Sequence, residues 1–294
     1  MHSITISHRS TLFLALMVFF LSSIAILMNL THHQYPGNLY LPSYAPLNLI
    51  CFILIYAGFI KMYGHQNKWI GMTKDFIWLA SLSITVTFAI NAVQFTPYPT
   101  IDHQILRLET SLHIDYQQLL TWVSTFPYLK KALAMSYNLL PYQMIYLPIL
   151  LIIARRSYYV HEYFFLVLTT VLIGFLVYYF FPTTAPASTI NSPYFSEAQR
   201  ATGLKFNQIH QHISPSTIQG GLIAFPSFHV IWGWLTLYMV RCWPLLFALL
   251  LPIYLLMVAS CILLGWHYLI DIIGAVVVLI MGHAAYYRLG PPHE

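Results

Sequence analysis

The sequence predicts an all-α fold: a polytopic membrane helix bundle of about eight transmembrane helices, with an amphipathic helical segment on its outer face. Three observations carry that prediction. Of the 294 residues, 59% are hydrophobic and only 7% are charged, against about a quarter charged in an average soluble chain. The mean hydropathy is +0.68. Apolar stretches of bilayer-crossing length recur along the whole chain. The 13 basic and 8 acidic side chains cannot cover a globular surface of this size. That excludes a soluble enzyme, a disordered tail protein and a disulfide scaffold. The net charge of +5 is scattered rather than clustered, so no nucleic-acid partner is expected. Cys51, Cys242 and Cys261 lie in or beside apolar stretches without CxxC spacing, so neither disulfides nor a thiolate metal site is expected.

The spans follow in order. The first, 11–30, exceeds a signal-peptide core and no A-x-A pattern follows it, so it is expected to be a true span. Stretches 45–61 and 75–95 complete an N-terminal group, and 137–154 carries Pro141 and Pro148, which make it irregular. After 162–181, the long run from 224 to 264 is divided by Arg241 and Pro244 into 224–242 and 244–264, and 266–287 closes the bundle. Residues 96–136 space Leu119, Leu120, Trp122, Val123 and Phe126 as an amphipathic helix does, which suits the membrane interface. Residues 182–223, rich in Pro, Ser, Thr and Asn, read as a loop or lid.

Lys and Arg set the orientation. With the N-terminus inside, 8 of them are cytoplasmic (Arg9, Lys61, Lys68, Lys74, Arg155, Arg156, Arg241, Arg288) and 5 are external (Arg107, Lys130, Lys131, Arg200, Lys205). Loop 31–44 has none, whereas 61–74 has three. Both termini are therefore expected in the cytoplasm and both long connections outside.

Ionisable side chains inside apolar spans are costly and usually functional. Asp271 is the one acid well inside a span, and His267, four residues earlier, is expected on the same helical face and nearer the outer surface. His229 follows Phe225-Pro226-Ser227-Phe228, where Pro226 suits a helix start. Both histidines and the start of the loop at Phe181-Pro182-Thr183-Thr184 fall at one membrane level. Two histidines and a buried carboxylate allow a nucleophile, an orienting partner and a general acid. A structural ion pair between His267 and Asp271 is the plainer alternative, and a transporter using the pair as a proton relay is another. His210-Gln211-His212 lacks a third ligand for a metal site.

Phe225-Pro226-Ser227-Phe228-His229 and His267-Tyr268-Leu269-Ile270-Asp271, separated by a helical hairpin, resemble the second and third motifs of the type 2 phosphatidic acid phosphatase superfamily. The branch most resembled contains fungal inositol phosphorylceramide synthase and its bacterial relatives. Phe181-Pro182-Thr183-Thr184-Ala185-Pro186 is similar to a proline-rich stretch of that branch. The resemblance implies a division into three N-terminal transmembrane helices (1–95) and a catalytic membrane domain (96–294). It implies that His267 attacks phosphorus, Asp271 orients it, and His229 protonates the leaving oxygen and then activates the acceptor. Ser227, Thr183, Thr184, Arg200 and Lys205 are the candidate substrate-binding residues. The implied chemistry needs no cofactor and no metal. The partners are a lipid substrate, a lipid or water acceptor and the bilayer itself. Two departures stand out. Cys261 occupies the position where the phosphatases carry an arginine, and their Lys…Arg-Pro motif is absent. That fits a phosphotransferase better than a plain lipid phosphate phosphatase. The expected location is a bacterial inner membrane, with the site on the periplasmic face.

Overall fold

The computed structural model describes residues 2–64 and 68–289. Every regular element among them is helical. Helix α1 (His2–Met28) passes through a π turn at Asn29–His33, and α2 (Ala45–Tyr63) and α3 (Lys68–Val93) follow. Two short helices, α4 (Asp102–Ser111) and α5 (Tyr116–Ser124), lead into α6 (Pro127–Ile153) and α7 (Ser157–Phe180). The chain continues through α8 (Glu197–His210), α9 (Phe228–Met239), α10 (Pro244–Leu263) and α11 (Leu269–Leu289). Among the described residues seven helices, α1, α2, α3, α6, α7, α10 and α11, are long and apolar enough to cross a membrane. Each satisfies its own backbone, as lipid requires. The protein is an integral membrane protein.

The expected eighth span, 224–242, is shorter than its apolar run. Helix α9 has 12 residues, about 18 Å at helical rise, and one 3-10 turn at Val240–Cys242 extends it. Its start is set by Ser227, whose hydroxyl accepts the Val230 N–H. Pro226 therefore stands before the cap rather than in the first turn. The non-helical residues preceding α9 are buried in protein, where irregular backbone is tolerated when its polar groups are met. Those of Ala224 and Phe225 donate to Thr183, and that of Ser227 donates to the Asp271 carbonyl.

Helix α7 is apolar all round, which demands burial all round. It is the hub of the bundle and packs against α1, α3, α6, α9 and α11. Helix α2 packs on α3 and has no buried residue, so its other faces meet lipid. Helix α6 begins at Pro127 rather than near 137, because its first turns stand beyond the apolar band. Lys130 and Lys131 are exposed there, and Leu133 packs with Val123 of α5 and Leu264. Residues 182–223 are not all loop. Ser196 and Gln199 form a reciprocal capping box that starts α8. Helices α4, α5 and α8 form a layer over one end of the bundle.

The opposite end is held by buried polar pairs. Asp75 of α3 accepts from Ser157 Oγ at 2.5 Å and faces His161 Nε2 at 2.9 Å. Glu162 of α7 pairs with Arg241, whose guanidinium lies 3.8 Å from the centre of the Tyr238 ring. Trp234 donates to His283 Nε2 at 3.0 Å. These contacts pin α3, α7, α9 and α11 together where a lone charge would be prohibitive. Ser10 Oγ reaches the Leu289 carbonyl at 3.4 Å, so α1 starts at the same end of the bundle where α11 finishes.

Candidate active site

The site forms where two loops meet. Helix α10 ends at Leu263, and Gly265 takes φ +70°, a left-handed conformation that favours glycine. A Cβ there would also stand 2.6 Å from the Phe195 ring. This turn sends His267 back beneath the start of α9. Helix α11 begins only at Leu269, so His267 precedes the helix rather than lying on its face, as the spacing had suggested. It meets Asp271 nonetheless. His267 Nδ1 is 3.2 Å from Asp271 Oδ2 and 3.0 Å from the Ala224 carbonyl. Both partners are acceptors, so Nδ1 carries a hydrogen, and in the neutral ring Nε2 then keeps its lone pair. His267 is 3% exposed and Asp271 0%.

His229, in the first turn of α9, brings its ring centre to 5.9 Å from that of His267. It lies flat on Tyr137 of α6 at 3.9 Å and 16°, and Tyr137 in turn lies on Trp266 at 4.5 Å and 11°. The Tyr137 hydroxyl is 3.2 Å from His229 Nδ1. With the rings nearly parallel, that oxygen sits over the imidazole face and off its in-plane lone pair, so face-to-face contact outweighs the hydrogen bond. Tyr137→Phe is therefore expected to keep turnover near the parent value. Tyr137→Leu should lower it about three- to tenfold. Steady-state kinetics of the two variants checks this, and equal losses would restore the hydroxyl as the active feature. Between the histidines lies a cavity of about 20 Å³ that Tyr137, Trp266, Gln199 and Thr202 also line, room for roughly one water. A larger groove of about 190 Å³ between α1, α3 and α7 has neither histidine nor acid in its lining and is a lipid-facing crevice.

The family model of the PAP2 superfamily matches residues 103–285, well over half of the chain, and the match takes in His229, His267 and Asp271. The chain belongs to the PAP2 superfamily. It is accordingly a lipid phosphoesterase of the phosphatase or phosphotransferase type. The search of curated proteins and the search of solved structures returned no match. The PAP2 region runs from α4 into α11, so the surface layer belongs to it, while α1–α3 lie outside.

The other expected substrate contacts of this PAP2 site are distributed unevenly. Ser227 is fully buried and caps α9, and its N–H donates to the Asp271 carbonyl at 3.0 Å. Thr183 Oγ1 accepts the Phe225 N–H at 2.6 Å, and Thr184 donates to Asp102. Both threonines tie loops together behind the cavity. Arg200 is exposed and donates to the Ser192 carbonyl at 2.7 Å, so the fold does not bring it to the histidines. Lys205 is buried, and its ammonium reaches the Gly220 carbonyl at 3.4 Å, beside Gly221 of the cavity lining. Cys261, which the sequence resemblance sets where the phosphatases carry an arginine, is fully buried, and its carbonyl accepts the His267 N–H at 2.9 Å. His210 turns its two ring nitrogens toward the carbonyls of Phe206 and Thr96.

Burial pushes the Lys205 ammonium down to about 8. A folded-state value below that of the unfolded chain means the charge opposes folding fully below pH 8, and the cost fades as both states lose the proton. Lys205→Met should therefore melt higher than the parent at pH 7, with the gap closing as the pH rises from about 8 to 10.5. Thermal melts across that range test it, and a gap independent of pH would remove the charge as its cause.

Sequence reasoning missed three residues here. It placed no acid other than Asp271 at this level, yet Asp102 and Glu109 are buried beside the start of α11, 0% and 2% exposed. Burial pushes the Asp102 carboxyl up to about 6, against the hydrogen bonds from Thr184. Tyr137 was concealed among the apolar residues of α6. Only the Ser196–Gln199 capping box, which starts the helix carrying Gln199 and Thr202, was open to a local reading.

Proposed function

We propose that the protein is a lipid phosphotransferase that works through a phosphohistidine on His267. The observation that carries this reading is the pair of acceptors on His267 Nδ1–H, which leaves Nε2 basic beside the cavity shared with His229. Nε2 attacks phosphorus as the bond from phosphorus to the leaving oxygen breaks, and His229 hands that oxygen its proton. Asp271 balances the positive charge that the His267 ring gains. In the second half, His229 takes the proton of an incoming hydroxyl, whose oxygen displaces Nε2 and restores the enzyme. Water as acceptor gives hydrolysis, and a lipid alcohol gives transfer.

Charge supports a particular donor. Among the described residues no Lys or Arg lines the cavity, and the family's arginine position is Cys261. A monoester or pyrophosphate brings two or more negative charges, whereas a phosphodiester brings one. Uncompensated charge in a buried site is heavily penalised, so a phospholipid diester fits best, in the manner of the inositol phosphorylceramide synthase branch. The positive-inside rule applied to Arg9, Arg155, Arg156, Arg241 and Arg288 supports a site on the outer face, periplasmic if the membrane is a bacterial inner one.

The test uses the purified protein in mixed micelles with EDTA and a His267→Ala control. The donors are a phospholipid, a lipid phosphate and an isoprenyl pyrophosphate, each with a lipid alcohol. A new phospho-headgroup lipid with diacylglycerol and no free phosphate is the expected product. Phosphate release from the monoester, lost in the variant, would replace transfer by hydrolysis. Turnover that survives in His267→Ala would overturn the mechanism.

A further inference from the structure

Asp102 and Glu109 stand seven residues apart (102 and 109), two turns along one face of α4. Neither lines the cavity. Carboxyls this buried need partners, and Asp102 finds them in the loop after α7 whereas Glu109 finds them in α5 and at the start of α11. Asp102 accepts the Thr184 N–H at 2.9 and 3.0 Å and the Thr184 hydroxyl at 3.0 Å. The adjoining Thr183 accepts the N–H groups of Phe225 at 2.6 Å and Ala224 at 3.4 Å. The Ala224 carbonyl is the first acceptor of His267 Nδ1–H. Glu109 accepts the Ile270 N–H at 2.7 Å and the Tyr116 hydroxyl, and that hydroxyl accepts the Leu269 N–H at 2.9 Å. Leu269 and Ile270 open α11, and Asp271, which follows them, is the second acceptor of His267 Nδ1–H.

We propose that α4 positions the His267 nucleophile, with Asp102 setting one acceptor of its Nδ1–H and Glu109, through Tyr116, setting the other. The physical reason lies in the start of α11. The first N–H groups of a helix have no partner within it, and an acid in the first turn is drawn back to cap them. Glu109 and Tyr116 satisfy Leu269 and Ile270 from outside, which leaves Asp271 Oδ2 to His267 and the Tyr268 N–H. The carboxylate of Glu109 also offsets the positive end of the α11 dipole, which would otherwise oppose positive charge on the His267 ring. Asp102 acts on the other side, holding the strap on which Ala224 hangs.

The inference rests on His267 as nucleophile, and the test separates the two. Asp102→Asn, Glu109→Gln and Tyr116→Phe are assayed with the parent and His267→Ala, each with a thermal melt. The three positioning variants should lower kcat by about 10- to 100-fold, the scale of a misplaced reacting group, with KM within about twofold. Asp115→Ala serves as control. It removes only the cap of α5, where Asp115 accepts the Gln118 N–H at 3.0 Å, and should alter melting but not kcat. Parental kcat in the isosteric variants, or losses that track the amount of folded protein alone, overturn the inference while leaving the nucleophile in place. If Glu109→Gln fails to fold, Tyr116→Phe, which deletes one hydroxyl, decides for that arm, and if Asp102→Asn fails to fold, Thr184→Val, which removes one of its donors, decides for the other. Turnover in the parent that does not depend on His267 overturns both.

Discussion

His267→Ala is expected to abolish turnover, with a loss of about 10⁴-fold or more, the scale seen when an attacking group is deleted from a catalytic triad. The geometry explains why no other group would take its place. His229 is the one other imidazole lining the cavity among the described residues, and it lies flat on Tyr137, assigned to proton transfer in the proposed mechanism. Cys261 is fully buried and does not line the cavity. A donor labelled on phosphorus should leave its label on the parent protein after a rapid alkaline quench, because a phosphorus–nitrogen bond to imidazole survives base and is lost in acid. The label should be missing from the variant. Label carried by His267→Ala, or label on the parent that resists acid, would end the phosphohistidine reading. Asp271→Asn, which keeps the shape but removes the charge, should fall between the two, with Nδ1–H still held by the Ala224 carbonyl at 3.0 Å.

The second large effect belongs to His229. General acid catalysis contributes about 10²- to 10⁴-fold, so His229→Ala should lose that much on a natural lipid, whose alkoxide leaves poorly without a proton. The loss should shrink sharply on a p-nitrophenyl phosphodiester, because nitrophenolate needs no proton to leave. The phosphoenzyme should then accumulate, since the variant also lacks the base that activates the acceptor. An equal loss on both donors would remove His229 from proton transfer and leave it a binding residue. Read with Tyr137→Leu, the experiment separates the histidine's proton from the stack that holds its ring.

Much of this was legible in the residues alone. Segments such as Ser157–Phe180 and Pro244–Leu263 are so apolar that only a bilayer or a bundle interior accommodates them, and their length sets what they span. The motifs around His229 and His267 were visible because each is a short run of near neighbours in the chain. Misreadings occurred where a boundary depended on distant contacts. The run 224–242 is apolar throughout, yet α9 begins only where Ser227 caps it and donates to the Asp271 carbonyl, 44 positions further on (227 and 271). The start of α6 depended on Leu133 meeting Val123 and Leu264.

The sequence by itself therefore determined the class of the protein: an apolar all-helical bundle, its two histidines and its intramembrane acid, because composition and local spacing are properties of the chain. Only the tertiary structure brought Asp102 and Glu109 to the loops and helix start that hold the partners of His267. Asp102 and Glu109 look like ordinary acids of an interfacial helix. Only packing reveals them buried, with their oxygens turned to N–H groups of Thr184 and Ile270, because an unpaired carboxylate at that depth costs more than bringing those loops to it.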